Sequence, residues 1–204
     1  MGVSEPEQPD VTSHNILPIV QLGDPVLRQV ARPLAANELV GLGDLIVQMR
    51  DTMRAAPGVG LAAPQIGRSL QLAVIEDPPQ RHAGLSAEEL AARERNAVPF
   101  HVIVNPRIEH VGDDVVDAYE GCLSFSGFVM IVRRAHRVRV EALDEHGREI
   151  RIEASGWYAR ILQHEIDHLN GIVCCDRMDS RTLATGENHR KFARESRESC
   201  ESRE

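Results

Sequence analysis

The chain has 204 residues, of which 42% are hydrophobic and 26% are charged, and its formal net charge is −8. This composition is ordinary for one soluble globular domain and excludes disorder as a description of the whole chain. The acidic balance argues against specific DNA binding or a general nucleic-acid binder, which needs a basic face for the phosphates.

The first residues predict a flexible polar leader over residues 1–16 and no targeting signal. Residues 1–15 contain Glu5, Glu7 and Asp10 but no Lys or Arg, whereas signal and transit peptides carry basic residues. No apolar run approaches the roughly 20 residues that span a bilayer. Four cysteines, two of them adjacent, are too few for a secreted disulfide framework. We therefore expect a cytoplasmic protein without a membrane partner.

The first half of the chain predicts one helix and two strands. Apolar residues at helical spacing predict a helix from about Ala36 to Ala56, which Pro57 ends. A loop of small residues follows over residues 58–67. Two apolar runs rich in β-branched residues, at 70–76 and 100–105, are typical of strands.

The polar stretch between these two strands, residues 77–99, has the composition of an insertion. Ser86 followed by Glu89 makes a capping box, which predicts a short exposed helix through Arg95.

The second half of the chain predicts a β-hairpin followed by a helix. Apolar and charged residues alternate over residues 136–143 and again over 148–154, so each strand has one buried face. The turn between them contains Gly147, which tolerates positive φ. A helix from Gly156 to Asn170 follows, with Gly171 placed to cap its end. Strands followed by one strongly marked helix indicate an α+β fold, with antiparallel β-sheets packed around that helix.

The sharpest local motif is QHEIDHLNG, at residues 163–171. On a helix, His164 and His168 share one face and can converge on a metal ion, while Glu165 is placed to accept a proton from water. A surface helix that happens to carry two histidines is the alternative. The apolar residues Ile161 and Ile166 indicate a buried helix, where unpaired histidines are costly, and so favour a metal site.

A catalytic site of this kind usually takes three protein ligands. Cys174 has the spacing of the third ligand in HExxHxxGxxH proteases. Cys122, in the sequence EGCLS, is the rival. Spacing alone leaves both candidates open.

Three motifs in order along the chain, GVGLAAPQ at 58–65, EGCLS at 120–124 and QHEIDHLNG at 163–171, resemble the signature motifs of the peptide deformylase family. The resemblance extends from about residue 21 to residue 181. It implies a single deformylase domain over residues 17–180 that contains the 77–99 insertion. The polar tail at 181–204, expected to be frayed or a solvated helix, lies outside it.

The resemblance implies that Cys122, His164 and His168 ligate a metal ion and that Glu165 is the general base and acid. The donor set by itself suits zinc. The family works best with ferrous iron, so Fe(II) is expected, with Zn(II), Ni(II) or Co(II) able to occupy the site. The substrate implied is the formylated nascent polypeptide.

The resemblance also implies roles in binding. Gln65 and the backbone N–H of Leu123 would stabilise the oxyanion, and Val59 and Gly60 would bind the substrate peptide beside the cleft.

Several residues around the motifs have open alternatives. Glu120 either pairs with Arg134 to hold the cysteine loop or is a surface charge. Asp167 either supports a histidine or is a helix-surface acid. Trp157 and Ile161 precede His164 on one helix face and should border the site, although Trp157 could also be plain core.

The sequence departs from the common bacterial pattern over residues 125–134, and other segments look closer to the organelle-type branch, which leaves the substrate side-chain preference open. A transient ribosome contact through Arg133, Arg134, Arg137 and Arg139 or the tail is compatible with the charge. The alternative functions are an HExxH metallopeptidase that uses Cys174 and a silent deformylase-like peptide-binding protein.

Overall fold

The computed structural model describes residues 16–192, so residues 1–15 of the predicted leader and 193–204 of the predicted tail lie outside the described residues. The α-helices are α1 (Gly43–Ala55), α2 (Ala87–Ala92) and α3 (Gly156–Leu169). The strands are β1 (Gly60–Ala62), β2 (Leu72–Asp77), β3 (Val98–His110), β4 (Val115–Cys122), β5 (Phe125–Ala135), β6 (Arg137–Leu143), β7 (Glu149–Ser155) and β8 (Ala184–Thr185).

The strands form two antiparallel sheets, which confirms the predicted α+β class. One sheet has five strands in the order β1-β2-β3-β6-β7, and the other has three in the order β4-β5-β8. Strand β1 therefore lies at an edge of the larger sheet. Strand β4 ends at Cys122, where the chain turns back into β5.

The larger sheet is covered on both faces by helices. On one face Ala73, Ile75 and Ile103 belong to the same buried cluster as the apolar residues of α3. On the other face Val74 and Val102 share a cluster with the apolar stripe of α1. Burial on both faces explains why β2 is a continuous apolar run and not an alternating one.

The predicted hairpin and the helix after it are confirmed. Strands β6 and β7 pair in register from Arg137 with Ser155 to Leu143 with Glu149, and Gly147 in the turn has φ +76°. Helix α3 ends at Leu169, and Gly171 follows at φ +72°, a conformation that favours glycine. Ser86 caps α2 through the predicted capping box, although α2 ends at Ala92 and not at Arg95.

The predicted helix from Ala36 to Ala56 is wrong in its first third. Residues Ala36–Gly41 form a 3-10 helix, and α1 starts only at Gly43. Two glycines around Leu42 make a continuous α-helix costly, since each glycine in a helix interior costs about 1 kcal/mol.

Two segments for which no strand was predicted contain a short strand, and the solvated-helix alternative for the tail agrees with its last described residues. The loop of small residues contains β1, which pairs with β2, and a 3-10 helix at Ala63–Ile66. In the predicted polar tail, β8 pairs with β5, and residues 186–192 are helical. Neither segment has a long apolar pattern of its own. Each is ordered because the neighbouring strand supplies its hydrogen bonds.

Within residues 16–192, no helix combines the length and apolar character needed to cross a membrane.

Candidate active site

A cleft of about 400 Å³ lies between the two sheets. One side is formed by residues 57–60, which lead into the edge strand β1, and the other by residues 120–123, at the end of β4. Helix α3 lines the cleft with Trp157, Ile161, His164 and Glu165. All three predicted motifs therefore meet in one place.

Cys122, His164 and His168 converge at the side of this cleft. Their candidate ligand atoms all lie within 4.8 Å of one another. The Cys122 Sγ atom is 3.3 Å from His168 Nε2, and the two imidazole rings, one turn apart on α3, have centroids 5.0 Å apart. The structure thus brings together the three residues predicted as metal ligands.

The donor set and its spacing fit a divalent metal ion. Sulfur and nitrogen ligands at about 2.3 and 2.0 Å from a tetrahedral metal lie roughly 3.5 Å apart, close to the distance between Cys122 and His168. The neighbouring Cys174 thiol and burial both raise the pKa of the Cys122 thiol, so a cation is needed to favour its thiolate. The three residues form a metal-binding group in which each side chain offers one ligand atom.

Glu120 orients the first histidine. His164 Nδ1 donates to Glu120 Oε2 at 2.9 Å, which leaves Nε2 for the metal. Burial lowers the pKa of His164, but the hydrogen bond and charge of Glu120 outweigh burial and raise it to about 9. A cation held at Nε2 would take the place of the proton there, so metal binding at neutral pH would release a proton.

The predicted pair of Glu120 and Arg134 is confirmed, and it is buried. Arg134 donates from Nε and Nη2 to the two carboxylate oxygens at 2.9 and 3.0 Å. Burial raises the pKa of Glu120, but the hydrogen bonds from His164 and Arg134 hold it well below its usual range. The carboxylate therefore stays charged next to the metal ligands.

Asp167 follows neither of the two predicted alternatives. It is buried, and it accepts hydrogen bonds from Arg134 and from Arg177, the latter at 2.7 and 2.9 Å. It supports a histidine only indirectly, because Arg134 binds both Asp167 and the Glu120 that orients His164.

Arg160 is a buried residue of the site that the motifs did not identify. It donates from Nη1 to Glu120 Oε1 at 2.7 Å and to the Val132 carbonyl oxygen at 2.7 Å. Its position four residues before His164, on the same face of an otherwise apolar helix stretch, is the signal that could have identified it.

Glu165 is 4% exposed and lies against the backbone of Gly60. Burial raises the pKa of Glu165 to about 7, and its Oε2 atom has no hydrogen-bond partner among the described residues. A Cβ atom on Gly60 would lie 2.2 Å from Glu165 Oε1. Glycine is therefore required here to let the carboxylate approach the edge strand.

Gln65 is held in one orientation beside the metal ligands. Its Oε1 accepts from the Ala62 N–H at 2.8 Å, which directs Nε2 towards Ser124 Oγ at 3.3 Å and Cys122 Sγ at 3.7 Å. The amide group of Gln65 therefore presents its donor side to the site.

The remaining predicted site residues, one of the oxyanion group and three of the substrate group, also line the cleft. These are Val59, Leu123, Trp157 and Ile161. The Val59 carbonyl oxygen accepts a hydrogen bond from the Glu76 N–H at 3.0 Å, which ties this residue to the end of β2. Ile161 is buried, and Trp157 is half-buried.

Cys174 lies next to this centre but not in it. It is buried in the same apolar cluster as Cys122, and its interaction with the Cys122 thiol lowers the pKa of Cys174 to about 7. It is not a member of the group of three ligand atoms within 4.8 Å, so the arrangement favours Cys122 as the third ligand.

A buried helix carrying two histidines and a glutamate, completed by a cysteine from a neighbouring strand, defines a metal-dependent hydrolase. The comparisons with known proteins narrow this class. Residues 16–184 match the family model "Polypeptide deformylase". The chain therefore belongs to the peptide deformylase family, hydrolases that remove the N-formyl group from newly made polypeptides.

Two similar proteins support this membership. The chain is 51% identical over 172 residues to "Peptide deformylase 3" of Streptomyces avermitilis, covering 84% of this chain and 75% of that protein. It is 40% identical over 167 residues to the human "Peptide deformylase, mitochondrial", covering 81% and 69%.

Solved structures agree in fold. A peptide deformylase from Synechococcus elongatus in complex with actinonin is 37% identical, with a TM-score of 0.67, and the match covers 89% of this chain and 85% of that one. The Met-Ala-Ser-bound peptide deformylase from Acinetobacter baumannii is 33% identical, with a TM-score of 0.70, and coverages of 80% and 98%.

Proposed function

We propose that this chain hydrolyses the N-formyl amide of formyl-methionine at the start of newly synthesised polypeptides, with Cys122, His164 and His168 holding the metal ion. The observation that carries the proposal is the meeting of this ligand group with Glu165 and Gln65 in one cleft. When bound there, a divalent metal ion supplies a nucleophile at neutral pH by lowering the pKa of water from about 15.7 towards about 7.

Glu165 moves the proton. With a pKa of about 7, its carboxylate can accept a proton from the attacking water and, once protonated, can return it to the leaving amine. Carbon–nitrogen bond cleavage then releases formate and the free amino terminus. The Oε2 atom has no partner among residues 16–192, which supports this role.

Gln65 and Leu123 stabilise the oxyanion that forms on the formyl carbon. In this proposal the two donors are Gln65 Nε2, which lies 3.7 Å from Cys122 Sγ, and the backbone N–H of Leu123, the residue after Cys122. One such donor contributes on the order of 3 kcal/mol to lowering the barrier. A neutral amide does so without forming an ion pair with the substrate.

The substrate peptide lies extended along β1, whose position at the sheet edge leaves one side open for added strand pairing. Gly60 and Val59 supply backbone contacts there. Trp157 and Ile161 border the pocket for the first side chain, and both line the cleft next to His164.

We propose Fe(II) as the native metal, with Zn(II), Ni(II) or Co(II) as substitutes. The support is the family's preference for ferrous iron. The Cys-His-His donor set accommodates all of these ions, and its thiolate makes the site sensitive to oxidation.

We place this activity in the cytoplasm, where nascent chains emerge. We also propose a transient ribosome contact through Arg133, Arg137 and Arg139 or the tail; the Arg133 and Arg137 side chains are exposed. Arg134 cannot take part, because it is buried against Glu120.

The test is formate release from a formyl-methionyl peptide by protein purified without air and loaded with metal. Glu165→Gln should lower kcat by about 10²- to 10⁴-fold, because it removes the proton acceptor, while metal content stays unchanged. No formate release by the loaded, unsubstituted protein would refute the proposal.

A further inference from the structure

Trp157, the one tryptophan of the chain, contacts the segment that joins β2 to β3. Its ring lines the cleft with Ile161, on the side where the first side chain of the substrate is proposed to bind. The position of this ring therefore sets the width of that pocket.

The end of the joining segment docks onto the start of α3. The backbone N–H of Trp157 donates to the Arg93 carbonyl oxygen at 2.9 Å. The Ser155 hydroxyl donates to Glu94 Oε2 at 2.6 Å. Gly156, at φ +56°, permits this contact, since a Cβ there would lie 2.6 Å from the same Arg93 oxygen.

Arg95 adds a contact to the tryptophan ring itself. Its guanidinium carbon is 5.0 Å from the ring centroid, and that of Arg93 is 5.8 Å away. Both distances are within the range of cation–π attraction, which strengthens when the cation is desolvated. The Arg95 side chain is only 10% exposed.

Asp77 fixes the guanidinium of Arg95. The carboxylate, at 0% exposure, accepts from Arg95 Nε and Nη2, both at 2.8 Å. A bidentate pair holds the guanidinium plane in one orientation, which a single hydrogen bond would not do. A continuous chain of contacts thus runs from the end of β2 through Arg95 to the Trp157 ring.

We propose that Arg95, fixed by Asp77, is a positioning residue that holds the Trp157 ring and thereby selects the first side chain accepted by the cleft. This inference rests on the proposed deformylase function and deepens it. It gives residues 77–99 a role in substrate selection, and it concerns side chains away from the metal ligands.

Intrinsic fluorescence tests the position of the ring without any turnover, because Trp157 is the only tryptophan. In Arg95→Gln, acrylamide quenching should increase and the emission maximum should shift to longer wavelength, since the ring loses its cover. The control is Arg133→Gln, which breaks a bidentate pair with Asp117 of similar geometry, at 2.9 and 2.7 Å, on the exposed surface of β5.

Selectivity is measured on two formyl-peptides that differ only in the first residue, methionine or phenylalanine. In Arg95→Gln, the ratio of kcat/KM for phenylalanine over methionine should rise about three- to tenfold. The change should appear in KM, with kcat on the methionine peptide almost unchanged, because the reacting groups are untouched. Loss of overall stability alone would not change this ratio.

Arg95→Lys covers the case in which Arg95→Gln does not fold. Lysine keeps the charge beside Asp77 but has no planar fork, so quenching and the selectivity ratio should change in the same direction and by less. A folded variant whose quenching and ratio equal those of Arg133→Gln overturns the inference. If the unsubstituted, metal-loaded protein turns over neither peptide, the proposed function fails and the selection role with it.

Discussion

Cys122 and Cys174 lie side by side, yet only Cys122 belongs to the group of converging ligand atoms. Sequence spacing could not separate them, because Cys174 follows the histidine motif at a plausible distance. The fold places Cys122 at the end of β4, facing His168. Cys174 instead begins a short 3-10 helix after α3.

We predict that Cys122→Ala loses its metal, whereas Cys174→Ala retains it. Loss of a direct ligand should lower metal affinity by more than the 10- to 100-fold typical of outer-shell changes. The measurement is metal content by elemental analysis after anaerobic purification. Retention of metal by Cys122→Ala together with its loss in Cys174→Ala would reverse the assignment.

We predict that Gly60→Ala lowers kcat/KM by roughly 100-fold, because the added methyl group must displace the Glu165 carboxylate or the edge strand. Metal content should be unchanged. Gly43→Ala is the matched control, since a Cβ there meets nothing within 4 Å. Equal rates for the two variants would argue against close approach of Glu165 to β1.

Strands β4 and β5 and helix α3 are joined by a buried charge network centred on Glu120. Its carboxylate accepts from Arg134, Arg160 and His164. Buried ion pairs of this kind seldom add net stability over an apolar core, but removing one partner leaves uncompensated charge. The network therefore fixes His164, the first of the three predicted metal ligands.

We predict that Glu120→Gln lowers metal affinity about 10- to 100-fold, because the charged carboxylate that orients His164 is replaced by a weaker, neutral acceptor. The free energy of unfolding should fall by about 3–5 kcal/mol, since buried Arg160 loses its carboxylate partner and buried Arg134 keeps only Asp167. Competition with a metal-binding dye and urea denaturation are the measurements.

The control for Glu120→Gln is Asp117→Asn on the same strand. Asp117 also accepts two hydrogen bonds from an arginine, but its side chain is 45% exposed. An exposed pair contributes about 0–1 kcal/mol, so both readouts should stay near those of the unsubstituted protein. Equal effects of the two substitutions would argue against a special role of Glu120.

At the scale of the whole molecule, the candidate metal site joins the two sheets through α3. Cys122 comes from the smaller sheet, while α3 packs on the larger one. A ligand that binds only the folded chain stabilises it by mass action, by about 4 kcal/mol at a thousand times Kd.

We predict that chelation of the metal lowers Tm by roughly 10 °C, at about 2–4 °C per kcal/mol for a chain of this size. Differential scanning fluorimetry with and without a chelator measures the shift. In Cys122→Ala the chelator should leave Tm unchanged. An equal shift in both proteins would place the stabilising metal elsewhere.

The sequence by itself determined the α+β class, the β6–β7 hairpin, helix α3 and the residues of the three motifs. These features are local: alternation, helical spacing and the capping glycine act over a few neighbouring residues. Recognition of the motifs also supplied Cys122, which local spacing had left open.

Only the tertiary structure decided which residues meet across distances along the chain. Strands β1 and β8 exist because β2 and β5 supply their hydrogen bonds, and neither has a long apolar pattern of its own. The roles of Asp167 and Arg160 likewise depend on burial beside partners far away in sequence. A buried charge is stable only where the fold brings it a partner, and a linear sequence does not contain that distance.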